Sequence, residues 1–210
     1  MDTTRRDPEP GTLSEGMLDG DPMAQFARWL AAARERGIPE PTAMLLATVS
    51  AEGRPRARTV LLKDYSQAGF TFYSNRTSRK GRDLAAHPMA CAVFPWYAMG
   101  RQVTAEGSVQ VMSQAASEPY VRSRSRGSQI GAWASRQSQV ISSRAELDRR
   151  LAELEQRWPP PADIPMPDFW GGYLLVPDTV EFWQSGTDRL HDRLRYRRDS
   201  DGWMVERLCP

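Results

Sequence analysis

The sequence predicts a mainly β fold in a single domain, an antiparallel barrel or sandwich with helices packed outside it. About seven or eight segments have the alternating or β-branched pattern of strands, and the helical segments between them are sparse. The chain has 210 residues, 40% of them hydrophobic and 26% charged, which is ordinary for one globular domain. No run approaches the roughly 18 apolar residues of a membrane span, and no apolar segment follows the first arginines. We therefore expect a cytoplasmic protein without a membrane segment.

The N-terminal part of the chain is predicted to hold a tail, one helix and three strands. Residues 1–20 are polar and rich in Gly, Pro and Asp, which predicts a mobile tail, so the folded domain spans residues 21–210. Asp21-Pro22 supplies an N-cap and a first-turn proline for a helix that runs to about Arg36. The strand patterns that follow are a hairpin over 43–50 and 57–65 and a third strand over 69–75.

The rest of the chain alternates between helices and strands. A short helix begins at Ser78 and stops at His87-Pro88, because a residue before proline avoids the helical region. Ser143 and Glu146 form a capping-box pattern at the start of the last predicted helix. The other predicted elements are strands over 91–98 and 101–112, helices over about 114–123, 128–134 and 144–157, and strands over 171–183, 193–199 and 203–208.

The basic residues are strongly biased toward arginine. They comprise 26 arginines and two lysines, Lys63 and Lys80, and the net charge is +2. A lysine in such a chain suggests a position that needs a compact, flexible ammonium group. A first basic cluster, within residues 54–82, has only one acid, Asp64. Its cations are Arg54, Arg56, Arg58, Lys63, Arg76, Arg79, Lys80 and Arg82.

Within this cluster, Arg58 and Lys63 belong to one predicted apolar strand. Side chains alternate between the two faces of a strand, so Arg58 and Lys63 would lie on opposite faces. Each is expected to meet an anion or a carboxylate, because a buried cation needs a partner. Residues 78–81 (SRKG) stand at a helix start, where basic side chains beside free backbone N–H groups suit a phosphate. The alternative is a solvated helix end with ordinary surface charges.

Two further clusters follow. The second contains Tyr120, Arg122, Arg124, Arg126 and Ser128, with Gln137 and Ser138 beyond. Such donors either converge on one oxyanion or form a basic surface that binds nothing, or binds nucleic acid weakly. The third contains Trp183, Arg189, His191 and Arg193. Because residues two apart in a strand share a face, Arg189 and His191 are expected to point at one ligand, whereas His87 is expected to be structural.

The sequence lacks the motifs of several other kinds of catalytic site. The sequence contains no HExxH, P-loop or GxGxxG motif and no Ser/His/Asp order. Cys91 and Cys209 are too few for a disulfide framework, and no Cys/His cluster suggests zinc. We therefore expect no metal, and hydrolase, metalloenzyme and Rossmann interpretations are disfavoured.

Nine short motifs, taken in order, resemble one family. They are residues 58–63 (RTVLLK), 72–75 (FYSN), 78–81 (SRKG), 101–103 (RQV), 128–135 (SQIGAWAS), 137–138 (QS), 181–184 (EFWQ), 189–193 (RLHDR) and 207–208 (RL). Each motif is short, but nine in order are highly specific and span most of the chain from about residue 22. The chain resembles the pyridoxamine 5'-phosphate oxidases, which are also called pyridoxine 5'-phosphate oxidases.

The resemblance implies a split β-barrel that works as a homodimer, with FMN bound at the subunit interface. Members of this family oxidise pyridoxine 5'-phosphate or pyridoxamine 5'-phosphate to pyridoxal 5'-phosphate. Hydride passes from substrate carbon C4' to flavin N5, O2 reoxidises the flavin to give H2O2, and the amine substrate also releases ammonia. The flavin carries the redox chemistry, so the protein needs no acid–base triad.

Carried over by motif, the resemblance implies two anion sites. The FMN-binding residues would be Arg58, Thr59, Val60, Leu61, Leu62, Lys63, Tyr73, Ser74, Arg79, Lys80, Gln102, Gln137, Ser138, Trp183 and Arg193. The substrate-binding residues would be Lys63, Tyr120, Arg124 and Ser128 at the phosphate and Arg189 and His191 at the ring. Arg189 and His191 would also be the catalytic pair. Two phosphomonoesters need several donors apiece, which the three basic clusters can supply.

The chain departs from the family pattern at three places, and the mildest is in a loop, where Ser185-Gly186 stands at the position of a common glycine pair. The family often has an arginine after the RQV motif, where this chain has Thr104. Some members close an arginine and a tyrosine of the tail over the substrate. This tail has Arg5 and Arg6 but no tyrosine, so no tail residue is assigned to the site.

Three alternatives stay open. A related flavin oxidase of phenazine biosynthesis is disfavoured by the four predicted substrate-phosphate residues. A non-catalytic flavin- or haem-binding split barrel is disfavoured by Arg189 and His191. A nucleic-acid binder is disfavoured by the net charge of +2 and the scarcity of aromatic residues among the arginines. We therefore expect a small-molecule substrate, O2 as co-substrate, a homodimer and no nucleic acid.

Overall fold

The computed structural model describes residues 11–210, which form five α-helices and nine strands. The helices are α1 (Pro22–Glu35), α2 (Arg79–Ala86), α3 (Gln114–Ser123), α4 (Arg126–Ala134) and α5 (Arg144–Arg157). The strands are β1 (Ala43–Val49), β2 (Pro55–Leu61), β3 (Asp64–Ser66), β4 (Gly69–Asn75), β5 (Met89–Trp96), β6 (Arg101–Val111), β7 (Trp170–Gln184), β8 (Asp192–Asp199) and β9 (Gly202–Arg207). Every strand pair is antiparallel, so the predicted mainly β antiparallel fold with flanking helices is confirmed.

The strands form one sheet in the order β2-β1-β5-β6-β7-β4-β3. β7 is its centre, because β6 runs along one edge while the other edge pairs with β4 in its first half and β8 in its second. β9 continues from β8, so the sheet divides into two arms at β7. A β-bulge between Glu106 and Gly107 shifts the register of β6 against β7. Glycine is required there, because a Cβ on Gly107 would lie 2.0 Å from the carbonyl oxygen of Val176.

The main core lies between the inner face of the sheet and α1. Phe26 of α1 is fully buried, and its ring centroid lies 4.8 Å from that of Phe94 and 5.0 Å from that of Phe70. Burial alternates along β1 and β5, as expected for strands with one face on a core. A smaller cluster joins α3 and α4 to the start of β7, which places these helices beside β4.

The single strand predicted over 57–65 is wrong, because the chain turns a corner between β2 and β3. The N–H of Leu62 donates to the carbonyl of Thr42 at 2.8 Å, and the next N–H, of Lys63, donates to Thr71 at 2.9 Å. The backbone thus leaves β1 and joins β4 within two residues. This corner contributes to a count of nine strands in residues 11–210 where seven or eight were predicted.

The second half of the predicted mobile tail, residues 11–20, packs on the barrel instead, and we call it the docked segment. Leu13 is buried, and its N–H donates to Asp192 at 2.9 Å. Arg207 at the end of β9 pairs with Glu15 at 2.9 Å and with Asp192 at 2.6 Å. The first half of the predicted tail lies outside the described residues.

Candidate functional site

A cleft of about 480 Å³ opens where β2 and β4 approach α3 and α4, and we call it the main cleft. Its lining residues are Thr59, Val60, Leu61, Lys63, Tyr73, Ser74, Lys80, Tyr120, Arg124, Ser125, Ser128, Gln137 and Trp170. Apart from Ser125 and Trp170, all of them belong to the predicted FMN and substrate residues. Leu62, predicted with its strand neighbours, is buried beneath them.

A second cleft of about 310 Å³ adjoins the first, and we call it the side cleft. Its lining residues are Arg56, Ala57, Arg58, Arg79, Lys80, Gln137 and Ser138. Lys80 and Gln137 line both clefts. The fold therefore gathers five of the eight cations of the first basic cluster and part of the second around one continuous groove along β2.

Lys80 stands at the junction of the two clefts, and within residues 11–210 its hydrogen-bond partners are neutral. Its Nζ donates to Ser74 Oγ at 2.8 Å and to Gln137 Oε1 at 2.7 Å. Burial, together with the nearby charge of Arg58, lowers the pKa of Lys80 to about 8. An ammonium group held among neutral acceptors and cations is suited to receive an anion.

Arg124 is the corresponding cation of the main cleft. Its guanidinium carbon lies 4.5 Å from the ring centroid of Trp170, and Tyr120 stacks on Tyr73 with centroids 3.9 Å apart. Arg124 Nη1 is buried and has no hydrogen-bond partner in the described part of the chain, and burial lowers the pKa of this side chain. Because an unpartnered buried N–H is costly, Arg124 fits a ligand that brings oxygen acceptors.

Sequence reasoning missed Trp170 and Ser125 for different reasons. Trp170 begins a long strand, where a large aromatic residue looks like any core residue. Ser125 caps α4 by accepting from the N–H of Ser128, and its hydroxyl donates to Ser128 Oγ at 2.8 Å. The capping pattern of Ser125 was available in the sequence as a signal.

Arg58 and Lys63 face different clefts, but not for the predicted reason. Lys63 is exposed and lies beyond the end of β2, with its ammonium 5.9 Å from the ring centroid of Tyr120. Only Arg58 meets the expected carboxylate, since its Nη2 lies 3.5 Å from Asp83. The expectation that Lys63 is a buried, paired strand residue is wrong because the chain has already turned toward β4.

Two arginines of the second cluster contact the helices and line neither the main cleft nor the side cleft. Arg122 pairs with Glu118 along α3 at 2.7 Å. Arg126 donates to the carbonyls of Trp158 and Ala162, which ties α4 to the end of α5. Only Tyr120, Arg124 and Ser128 of that cluster line the main cleft, together with the more distant Gln137.

The third cluster lies on another part of the sheet. Gln102 is in register with Trp183, and Trp183 with Arg193, so the three side chains form a row across β6, β7 and β8. Arg193 holds Glu181 with two hydrogen bonds of 2.8 and 3.0 Å, and the first of these contacts raises its pKa. None of these residues lines either cleft. A single chain therefore divides the predicted FMN residues into two groups.

The prediction that Arg189 and His191 share a strand face is wrong. β8 begins at Asp192, and Arg189 belongs to a turn in which it has a left-handed φ of 63° and is exposed. His191 lies with its ring centroid 4.6 Å from that of Trp183, and its Nδ1 accepts the N–H of Gly186 at 3.2 Å. The turn thus places His191 beside Trp183 of that row, and Arg189 stands two residues earlier on the same turn.

Residues 11–210 contain neither a helix that could span a membrane nor a cluster of metal-binding side chains. No helix there is long and apolar enough to cross a bilayer. Nowhere in the same range do three or more His, Cys, Asp or Glu side chains gather in a way that could hold a metal ion.

Comparison with known proteins places the chain in a family. Residues 30–158 match the family model of pyridoxamine 5'-phosphate oxidase, and residues 170–210 match that of the pyridoxine 5'-phosphate oxidase C-terminal dimerisation region. The pyridoxine/pyridoxamine 5'-phosphate oxidase of Frankia alni is 56% identical over 204 residues, covering 95% of this chain and 85% of the relative. The protein of that name from Acaryochloris marina is 50% identical over 206 residues, covering 98% of this chain and 94% of the relative.

Solved structures agree on the fold. PhzG from Burkholderia lata 383, in complex with tetrahydrophenazine-1-carboxylic acid, matches with a TM-score of 0.90 at 30% identity, over 98% of this chain and 100% of that one. A pyridoxamine 5'-phosphate oxidase-related, FMN binding protein from Nostoc punctiforme matches with a TM-score of 0.69 at 19% identity, over 95% and 99%. The predicted split barrel is thereby confirmed. With two family models along most of its length and relatives about half identical to it, the chain belongs to the pyridoxine/pyridoxamine 5'-phosphate oxidase family of oxidoreductases.

Proposed function

We propose that this protein oxidises pyridoxamine 5'-phosphate and pyridoxine 5'-phosphate to pyridoxal 5'-phosphate, with FMN as its redox group and O2 as the oxidant that is reduced to H2O2. The observation that carries the proposal is a pair of cations that have no acidic partner among residues 11–210, Lys80 at the junction of the clefts and Arg124 in the main cleft. Two phosphomonoesters, one on FMN and one on the substrate, would satisfy them.

The residues present fit both phosphates. Around the side cleft, Arg58, Arg79 and Lys80 supply positive charge and Ser138 a hydroxyl, which suits the FMN phosphate. In the main cleft, Arg124 and Lys63 supply charge and Tyr120 and Ser128 hydroxyl donors, which suits the substrate phosphate. When bound, FMN supplies the hydride acceptor for the substrate carbon C4'. The work of the chain is to hold that carbon in position and to exclude competing reactions.

A homodimer would reunite the two groups of predicted FMN residues. Leu45 is 43% exposed and is in register with Thr59 on one side and Val93 on the other, so the sheet has a partly apolar outward face. Thr104 is in register with Val93 and therefore lies on the same face. Gln102 is two residues from Thr104 in β6, so it shares that face. Packing this face against a second copy would bring the third cluster of one subunit to the clefts of the other. The match of residues 170–210 to a dimerisation region supports this arrangement.

In that complex we assign Arg189 and His191 to the substrate ring. The Arg189 guanidinium can stack on the ring and stabilise charge on the ring oxygen as hydride leaves. The His191 imidazole can hydrogen-bond the same oxygen through Nε2, because its Nδ1 already accepts the N–H of Gly186. Both side chains sit on the turn before β8, so their position depends on how that turn is held.

A second candidate function is oxidation of a reduced phenazine precursor, which the likeness to PhzG favours. The two functions differ in what the main cleft must bind, because pyridoxamine 5'-phosphate carries a phosphate and tetrahydrophenazine-1-carboxylic acid carries a carboxylate. Identity of 50–56% to curated relatives named pyridoxine/pyridoxamine 5'-phosphate oxidase favours the vitamin phosphates.

Purified protein tests the proposal directly. We expect yellow protein that releases FMN on denaturation, and formation of pyridoxal 5'-phosphate with H2O2 when either vitamin phosphate is added in air. Under anaerobic conditions, the substrate should bleach the flavin absorbance and O2 should restore it. Colourless protein that FMN does not reconstitute, or bleaching by a dihydrophenazine but by neither vitamin phosphate, would overturn the proposal.

A further inference from the structure

Asp83 is a buried carboxylate beneath the side cleft, and no motif of the sequence drew attention to it. It projects from α2, the helix that also carries Arg79 and Lys80, and its side chain is 3% exposed. Ser78 caps this helix by accepting the N–H of Gly81, and a Cβ on Gly81 would lie 2.1 Å from the carbonyl oxygen of Arg76. The helix is therefore held close to the preceding loop, and Asp83 is directed at the β1–β2 hairpin.

The two carboxylate oxygens of Asp83 hold different groups of that hairpin. Oδ1 accepts from Arg56 Nη1 at 2.7 Å. Oδ2 accepts from Thr48 Oγ1 at 2.8 Å and lies 3.5 Å from Arg58 Nη2. Arg58 Nη1 in turn donates to Thr48 Oγ1 at 2.7 Å and to the carbonyl of Leu46 at 3.0 Å. Both guanidiniums are thus fixed at one end by protein acceptors.

This clamp leaves donors for a ligand. A guanidinium has five N–H bonds, and the contacts above use at most three on Arg58 and one on Arg56. Both side chains line the side cleft with Arg79 and Lys80. Four cations in one small cleft repel each other, and the charge of Asp83 offsets one of them while pinning two. The remaining charge suits a phosphate dianion.

We propose that Asp83 is a positioning residue for the phosphate of FMN and that Arg56 is a further residue that binds this phosphate. Asp83 orients Arg56 and Arg58 so that their remaining N–H groups face the side cleft. The proposal rests on the proposed function, since it assumes that FMN is the flavin of this site. A carboxylate that only pinned α2 to the hairpin would affect every flavin alike, whereas a phosphate-positioning carboxylate affects FMN but not riboflavin.

The test compares affinities of the apoprotein for FMN and for riboflavin by fluorescence titration. Asp83→Asn keeps the shape of the side chain and removes its charge. We expect at least a tenfold rise in the Kd for FMN and less than a twofold change for riboflavin. Arg56→Ala should give the same pattern. Asp148→Asn, which breaks an exposed helical ion pair with Arg144, is the matched control and should change neither affinity.

Equal weakening of FMN and riboflavin in Asp83→Asn would overturn the positioning role, and so would unchanged FMN affinity. If Asp83→Asn does not fold, Arg56→Ala decides: selective loss of FMN affinity supports the proposal and its absence overturns it. Wild-type apoprotein separates this outcome from failure of the proposed function. Wild-type protein that binds neither flavin, or binds riboflavin as tightly as FMN, refutes FMN as the cofactor before any variant is considered.

Discussion

Lys80 combines a position at the junction of both clefts with a pKa of about 8, which makes the charge of the site pH-dependent near neutrality. A bound phosphate dianion favours the charged ammonium and raises this pKa, so binding takes up a proton above pH 8. The affinity for FMN should therefore fall as pH rises above 8, by at most about tenfold per pH unit. Titrations between pH 7 and 9.5 measure this slope. Lys80→Arg stays charged and should have a flatter profile; equal slopes would contradict the assignment.

Arg58 and Lys63 allow a test of the two separate anion sites, because they face different clefts. Arg58→Ala should weaken FMN binding with little effect on the KM of protein kept saturated with FMN. Lys63→Ala should retain FMN and raise KM for pyridoxamine 5'-phosphate by roughly 10- to 150-fold, the equivalent of about 1.5–3 kcal/mol for one charged hydrogen bond. Flavin titration and steady-state kinetics on both variants check this. Equal loss of flavin in the two variants would argue against separate anion sites.

Arg189 and His191 are assigned to the reacting ring. Arg189→Leu should keep yellow FMN and a near-native melting temperature while kcat/KM falls at least about tenfold, or about 1.4 kcal/mol. Anaerobic single-turnover reduction at saturating substrate separates binding from chemistry. If that rate is unchanged in both Arg189→Leu and His191→Ala, the two residues only bind substrate and their catalytic role is wrong.

Among the elements, the bulge between β6 and β7 leaves no room for a side chain at Gly107. Gly107→Ala would place a methyl group 2.0 Å from the carbonyl oxygen of Val176, which the paired strands cannot avoid without losing register. We expect a loss of about 3 kcal/mol in the free energy of unfolding, measured by chemical denaturation. Gly131→Ala is the control, because a Cβ on Gly131 in α4 meets nothing within 4 Å and should be neutral or slightly stabilising. Similar losses in both variants would contradict this explanation.

Elements whose signals are local could be predicted from the sequence. The cap of α2 at Ser78 and the helix α5 over 144–157 needed only nearby residues. The corner at Leu62 could not be predicted, because its apolar pattern continues while the backbone changes partner from β1 to β4. The turn at Asp188 and Arg189 has left-handed φ angles without glycine, so its residue types do not mark it.

Only part of the candidate site could be predicted, because contacts between distant segments leave no local pattern in the sequence. The short contiguous motifs of the resemblance contain four of the cations that line the clefts, namely Arg58, Lys63, Arg79 and Lys80. Asp83 and Trp170 act through neighbours from distant segments, Arg56 and Arg124, and no local pattern links them. The docked segment looked mobile because its partners Asp192 and Arg207 lie far along the chain.

For the whole molecule, the proposed dimer links assembly to the cofactor. If both subunits contribute FMN contacts, FMN binds the dimer and stabilises it by mass action. Size measurements at low concentration should therefore show that the apoprotein dissociates more readily than the FMN-loaded protein. Leu45→Arg, on the outward sheet face, should promote dissociation and loss of FMN. Met17→Arg, at a similarly exposed residue outside the sheet, should do neither. A monomer that retains FMN would refute the shared site.

The contact between Glu15 and Arg207 joins positions 192 residues apart, and this distance has a consequence for biosynthesis. On a ribosome that adds about 5–20 residues per second, Glu15 emerges on the order of ten seconds or more before Arg207 exists. β4 likewise waits for β7, from which it is separated by α2, β5, β6 and three helices. The nascent chain must therefore carry an unpaired strand edge until β7 has been made and an undocked N-terminal segment until Arg207 has been made, and the two arms of the barrel close only after that.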